Sequence, residues 1–428
     1  MISFVSFLGI IALLLLSVTR RRILIICAFY VYYGLATVMN PDSVLTLGGL
    51  TVYRMLYIIL LLSIGVRIFQ DNHFLLRVHR WPLASFLLLL FVMAVSAFYS
   101  PSNTVLSISE PTSFFARAIV ISLFWLAASH IQEENDLLIF AGTTVLVSVV
   151  LSTWVIWTAG QGQFAAYRGG GLVNENYVSM FVLAGAIPLI NAIFAQKIRL
   201  LNLLFLAVLM FVMLAALILA SRGMIAAVVA AAIIMALRLR RSLGSRKTLA
   251  VGFVVALVFC GTLFLPGAGN LLSRIESGDL VTLNERIYVW SYSLTYFSRA
   301  SLVKIIFGGG MSSSASTISP MMPGVENYHN VYLLWLMEQG IVGLTAFLVF
   351  LCFVTRLTLK SSHSLKNVLV GWLAYLLVAG LSATMSDDHA FWIFLGVLVG
   401  ASSQAGSLHL EPSLQGVKKP FEFSPSGA

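Results

Sequence analysis

Charge is what this chain has least of. Asp, Glu, Lys and Arg make up 10% of its 428 residues, against roughly 25% in soluble globular domains. That shortage excludes a water-soluble fold and points to an integral membrane protein. Strict polar–apolar alternation is also missing, which excludes the strands of a membrane barrel and leaves helices as the spanning elements. Cysteine is rare: Cys27, Cys260 and Cys352 are the only three, each inside an apolar run. Without a C-x-x-C pair they form neither a redox motif nor a metal site, and each is expected to pack. Proline is nearly absent from the interiors of the apolar runs, Pro188 being the exception. No small-residue cleavage site follows the first run, Phe4 to Val18, which ends at Thr19-Arg20-Arg21-Arg22. It is therefore expected to be a retained span rather than a signal peptide.

What the chain does have is apolar length, 59% of its residues being hydrophobic. With about 20 such residues needed per crossing, thirteen spans are expected, near 3–18, 22–39, 50–69, 82–99, 114–131, 137–159, 176–195, 199–220, 222–237, 248–266, 329–355, 367–385 and 389–406. The expected fold is all-α and polytopic, with 12–13 transmembrane helices and one large periplasmic loop. The divisions are residues 1–266 (first helices), 267–328 (loop), 329–406 (last helices) and a disordered cytoplasmic tail, 407–428. The net charge of +10 does not read as nucleic-acid binding, because 18 of the 26 basic residues fall in alternate short loops on one side. The positive-inside rule makes that side cytoplasmic. Six lie in the opposite loops, and Arg54 and Arg117 lie within spans, near their outer ends. Both are costly there, and snorkelling to headgroups is the plain reading of each.

The unusual polar residues gather on the outer side. Arg168 precedes Gly169-Gly170-Gly171 and Asn174-Glu175-Asn176. Arg222 follows Ser221 at the start of a span, where a serine cap and free backbone N–H groups favour an anion. Arg286 lies in the long loop, and Glu326-Asn327-Tyr328-His329-Asn330 ends it and opens an apolar helix continuing through Glu338, Gly340 and Gly343. Arginines suit a diphosphate, since the guanidinium fork pairs with phosphate oxygens in bidentate fashion. Histidine exchanges protons near neutral pH, although capping or anchoring the helix would also account for His329. Asp387-Asp388-His389 has no third carboxylate or second histidine nearby and is expected to be a solvated helix end, and Gly308-Gly309-Gly310 a flexible turn without the features of a P-loop. The aromatic-rich stretch from Arg286 to Phe307 fits a helix lying at the membrane interface.

In their order along the chain, Ser221-Arg222-Gly223, then Glu285-Arg286 with Trp290, Phe307-Gly308-Gly309-Gly310, and Tyr328-His329-Asn330-Val331-Tyr332-Leu333 with Glu338, Gly340, Ile341, Gly343 and Leu344, resemble the bacterial O-antigen ligase and O-antigen polymerase family. The Arg168 loop with Asn174 and Asn176 also looks like that family's pattern. The resemblance implies a glycosyltransferase of the bacterial inner membrane, active at the periplasmic face. Its substrates would be an undecaprenyl-diphosphate-linked glycan as donor and a glycan or lipid A–core as acceptor, with no metal, no nucleotide sugar and no other cofactor. It implies that Arg222 and Arg286 hold the donor diphosphate and that His329 orients or deprotonates the acceptor hydroxyl. Arg168, Asn330, Glu326, Arg54 and Arg117 are the further residues expected at the substrate. Within the family, Asn327-Tyr328 before His329 favours a polymerase, working with a chain-length regulator, over a ligase. A transporter or flippase of lipid-linked sugars is the alternative from another class, as is a non-catalytic scaffold of an envelope assembly.

Overall fold

A computed structural model of the chain describes residues 23–38, 46–47, 50–51, 62, 65–66, 80–101, 114–131, 133–163, 175–195, 199–219, 221, 223–239, 284–318, 328–383 and 388–407. Five helices are long and apolar enough to cross a bilayer: Arg80–Phe98, Glu134–Gly160, Glu175–Phe194, Leu200–Leu219 and Val331–Lys360. Five shorter apolar helices accompany them: Ile23–Leu35, Arg117–His130, Gly223–Leu239, Lys366–Ala379 and His389–Ser403. All ten coincide with expected spans, and the protein is an all-α, multi-pass membrane fold. The spans expected at 3–18 and 248–266, and nearly all of 50–69, lie outside the described residues. A two-residue antiparallel bridge, β1 (Thr46–Leu47) with β2 (Leu50–Thr51), is joined through Gly48-Gly49.

We number the helices α1 (Ile23–Ala36), α2 (Arg80–Phe98), α3 (Phe114–His130), α4 (Glu134–Gly160), α5 (Glu175–Ala184), α6 (Ala186–Ala195), α7 (Arg199–Leu219), α8 (Gly223–Leu239), α9 (Asn284–Ser298), α10 (Leu302–Phe307), α11 (Ser313–Ile318), α12 (Val331–Lys360), α13 (Lys366–Ala379) and α14 (His389–Ser407). Large side chains such as Phe91 and Leu200, 65% and 76% exposed, face outward, where hydrocarbon rather than water suits them. Inside, Tyr30, Phe140, Phe181, Trp372 and Phe394 pack ring against ring at 5.0–5.7 Å. Helices α14 and α3 pack closely across Gly396 and Gly400, where a Cβ would run into the carbonyls of Phe124 and Ala128. Small residues four apart let membrane helices approach this closely.

The expected span at 176–195 is two helices, α5 and α6, separated at Gly185. Pro188 has no N–H to offer the Ala184 carbonyl, and the Trp372 indole supplies one instead at 3.0 Å. Ser148 accepts from the Gly185 N–H at 3.1 Å and donates to the Phe181 carbonyl at 2.9 Å, so the broken backbone is satisfied from α4 and α13.

The break in α12 matters more. Gly340 has φ +69° and ψ −165°, so the helix does not continue through it as expected. In a straight helix Trp335 and Phe347 would sit about 18 Å apart, at 1.5 Å per residue. Their rings instead stack at 5.1 Å, and Tyr332 approaches Phe347 to 6.0 Å. Residues 331–339 therefore fold back over the bundle as a short separate helix, and the 20 residues of 341–360 are left to span, about 30 Å of rise.

Helix ends meet in two groups. At one end, Val331 N–H donates to the Gly380 carbonyl at 2.9 Å and Met311 N–H to the Ser96 carbonyl at 3.3 Å, while Tyr33 stacks on His389 at 3.8 Å. At the other, Trp81 stacks on Phe353 at 5.9 Å, and the Ser364 hydroxyl meets the Glu134 carboxylate. Arg80, Arg356, Lys360 and Lys366 belong to this second end and the loop helices α9 to α11 to the first, the partition that the charge bias anticipated.

Candidate functional site

His329 stands at the first end, where the chain leaves the loop. It is only partly exposed and has φ +47°, a left-handed conformation that non-glycine residues adopt rarely and chiefly in turns and functional sites. Its neighbours hold that conformation in place. Tyr328 is fully buried and its carbonyl accepts from the Trp290 indole at 2.9 Å. Asn330 is the cap of α12, its Oδ1 accepting from the N–H groups of Tyr332 and Leu333 at 3.0 Å each. Both sides of the histidine are pinned, one to the loop and one to the helix.

The loop helix α9 supplies the arginine. Val289 packs with Ile318, Tyr328, Leu333, Leu334 and Met337 in a small apolar core between α9, α11 and residues 331–339. This core holds α9, which carries Arg286 three residues earlier, against Tyr328 and the start of α12, within range for the guanidinium charge to act on the imidazole. Burial, and secondly the Arg286 charge, push the His329 pKa below its ordinary value of 6.5. Desolvation and a like charge both disfavour the imidazolium, so the ring is neutral at pH 7 and able to accept a proton. Tyr328 is no competing base: burial first, and the Glu338 carboxylate second, raise its phenol.

Two further motifs reach this end. The Ser221 hydroxyl donates to Asn176 Oδ1 at 2.9 Å, which joins the start of α8 to the start of α5. A Cβ on Gly223 would overlap the Ser382 side chain, and Ser382 lies two residues past Gly380, the acceptor of Val331. The residues on either side of Arg222 thus sit with the mouth of α12. Arg222 itself, with Arg54, Arg168, Asn174 and Glu326, lies outside the described residues.

Arg117 does not snorkel. It is 6% exposed, and its Nη1 lies 2.7 Å from Oε2 of Glu338, which is fully buried. The sequence reading singled out each residue but did not join them. An arginine and a glutamate each inside an apolar run, both at the same end of their helices, were the available signal, because such charges seldom remain unpartnered in a membrane. Two expectations are corrected. Asp388 and His389 are buried rather than solvated, Asp388 Oδ1 capping α14 through the N–H groups of Ala390 at 2.8 Å and Phe391 at 3.4 Å. Gly308-Gly309-Gly310 is not a flexible turn but a strap: the N–H groups of Gly309 and Gly310 donate to the carbonyls of Met337 and Glu338 at 2.8 and 3.0 Å. Among the described residues no three His, Cys, Asp or Glu side chains gather as a metal site.

Residues 205–348 match the family model described as O-Antigen ligase. The matched stretch takes in Arg222, Arg286, the glycine strap, His329 and Glu338, and it supports the resemblance read from the motifs. Arg54, Arg117 and Arg168 lie outside it. A search of curated proteins finds no match to the chain.

Proposed function

We propose that this protein is a membrane glycosyltransferase that moves a glycan from a polyprenyl diphosphate to an acceptor hydroxyl. The observation that carries the reading is the pinning of His329, at φ +47°, between the loop helix α9 that carries Arg286 and the cap of α12, at one end of the bundle. In the proposed reaction the acceptor oxygen bonds to the anomeric carbon while the bond from that carbon to the diphosphate oxygen breaks. The hydroxyl proton passes to His329, and the electron pair leaves on the diphosphate. Arg286 and Arg222 stabilise the charge that develops there, the role such donors play best in a site closed to water. This division of labour needs no metal, because the guanidinium groups supply the positive charge. Arg168, Glu326, Asn330 and Arg54 are proposed to line the donor and acceptor paths. By the charge bias of the loops, the site faces the periplasm from a bacterial inner membrane.

The acceptor decides which enzyme this is. We favour the growing lipid-linked glycan, so that repeat units of a surface polysaccharide are polymerised. Asn327-Tyr328 before His329 supports that reading, with Tyr328 packed under Trp290. Lipid A–core is the second reading, and the family match is compatible with either acceptor. Purified protein offered a defined undecaprenyl-diphosphate-linked repeat unit, with and without lipid A–core, separates the two. Longer lipid-linked glycans without lipid A–core are the expected product. Product formed only on lipid A–core would make the protein a ligase, and no product in either mixture would overturn the enzymatic reading.

A further inference from the structure

Glu338 sits where four parts of the chain come together. Its carboxylate pairs with Arg117 of α3 at 2.7 Å. Its backbone carbonyl accepts from the Gly310 N–H of the strap at 3.0 Å and from the Ser96 hydroxyl of α2 at 3.1 Å. A helix that ran on past Gly340 would have used the carbonyls of Met337 and Glu338 for its own i→i+4 bonds. The break frees both, and Gly309 and Gly310 occupy them. The strap is in turn fixed to α2: Met311 N–H donates to the Ser96 carbonyl, the Ser100 hydroxyl to the Met311 carbonyl at 2.6 Å, and the Tyr99 hydroxyl to the Phe307 carbonyl. The two sides approach backbone to backbone: a Cβ on Gly308 would overlap the Glu338 carbonyl and one on Gly340 the Ile306 carbonyl.

From this we propose that the Arg117–Glu338 pair is a positioning centre, which sets the distance between Arg286 and His329. The inference rests on the functional reading above for its consequence, but not for its geometry. The strap ends the segment that carries Arg286, and Glu338 ends the short helix that begins just after His329. One buried pair therefore registers both against the bundle, although the arginine and the histidine are far apart in sequence. Stability alone is a weak reason for such a pair, since replacing a buried ion pair with well-packed apolar side chains is often neutral or stabilising. Its charge and its directed Nη1–Oε2 contact select one register of the break, where apolar contacts would accept several.

The double variant Arg117→Met with Glu338→Met tests this, because it removes both charges at once and leaves no uncompensated one. Spin labels on Thr295→Cys and Leu381→Cys, both exposed, report the distance between the loop helix and the mouth of α12 in the full-length protein in lipid, with the native cysteines replaced. A single narrow distribution is expected with the pair intact and a broad or shifted one in the double variant, at similar folded yield. Transfer by the double variant should fall at least tenfold in kcat with little change in KM for the lipid-linked donor. The charge-reversed pair, Arg117→Glu with Glu338→Arg, should recover part of both. An unchanged narrow distribution in the Met–Met variant would overturn the proposal, whatever the activity. If the parent protein transfers no glycan, the functional reading fails while the distance measurement still decides the positioning centre.

Discussion

At the scale of single residues, His329 is the most exacting element of the account. Its φ lies in the left-handed region between two pinned neighbours, Tyr328 and Asn330, and burial first, then the Arg286 charge, lowers its pKa. A neutral imidazole is required for proton acceptance, so the acid limb of the rate profile should fall below pH 6.5. Arg286→Gln removes the charge that helps to depress the histidine. The limb should then move up toward pH 6.5 while the maximal rate falls, and a kcat/KM profile against pH measures both; a limb that stays in place would disconnect the two groups. Arg286→Lys should restore part of the rate, since a point charge cannot reproduce the guanidinium fork. Histidine and arginine were legible in the sequence because each is costly at a membrane surface and lies in a motif. The Arg117–Glu338 pair was not, since the partners come from different helices and only the fold brings them within 2.7 Å.

Among the elements, α12 shows most clearly where sequence reasoning stops. Hydropathy stays high on both sides of Gly340, so the apolar run reads as one helix, and the break appears only through contacts between distant segments. Gly340 and Gly308, with ψ values of −165° and −174° at positive φ, occupy a backbone region essentially restricted to glycine, where another residue costs about 1–3 kcal/mol. Neither has room for a Cβ, which would meet the backbone of Glu338 and Gln339 at Gly308 and that of Ile306 and Gly308 at Gly340. Gly340→Ala should therefore destabilise the folded protein by at least that amount, read as a lowered thermal midpoint in detergent. Gly65→Ala, at a position with nothing near its Cβ, is the control and should leave the midpoint almost unchanged. Equal midpoints for the two variants would remove the strap from the account. The run of three glycines was plain in the sequence, but its partner on α12 was not.

Across the whole molecule, the ten apolar helices among the described residues were legible, because apolar length is a property of segments rather than of contacts. From the charge bias we propose that α9 lies outside the cytoplasm. In protein whose native cysteines are replaced, an impermeant thiol reagent applied to intact spheroplasts should label Ser298→Cys, an exposed position, and spare Ser242→Cys; the reverse pattern would invert the orientation. The central claim is that the end of the bundle holding Arg286 and His329 performs glycan transfer. Its most direct test is the reconstituted protein, wild type beside His329→Ala, supplied with a defined undecaprenyl-diphosphate-linked repeat unit and read by mass spectrometry of the lipid-linked products. Wild type should extend the unit, and His329→Ala should do so about a hundred to ten thousand times more slowly, the span that general acid–base catalysis contributes, while still binding the donor. Extension by His329→Ala at the wild-type rate would contradict the account.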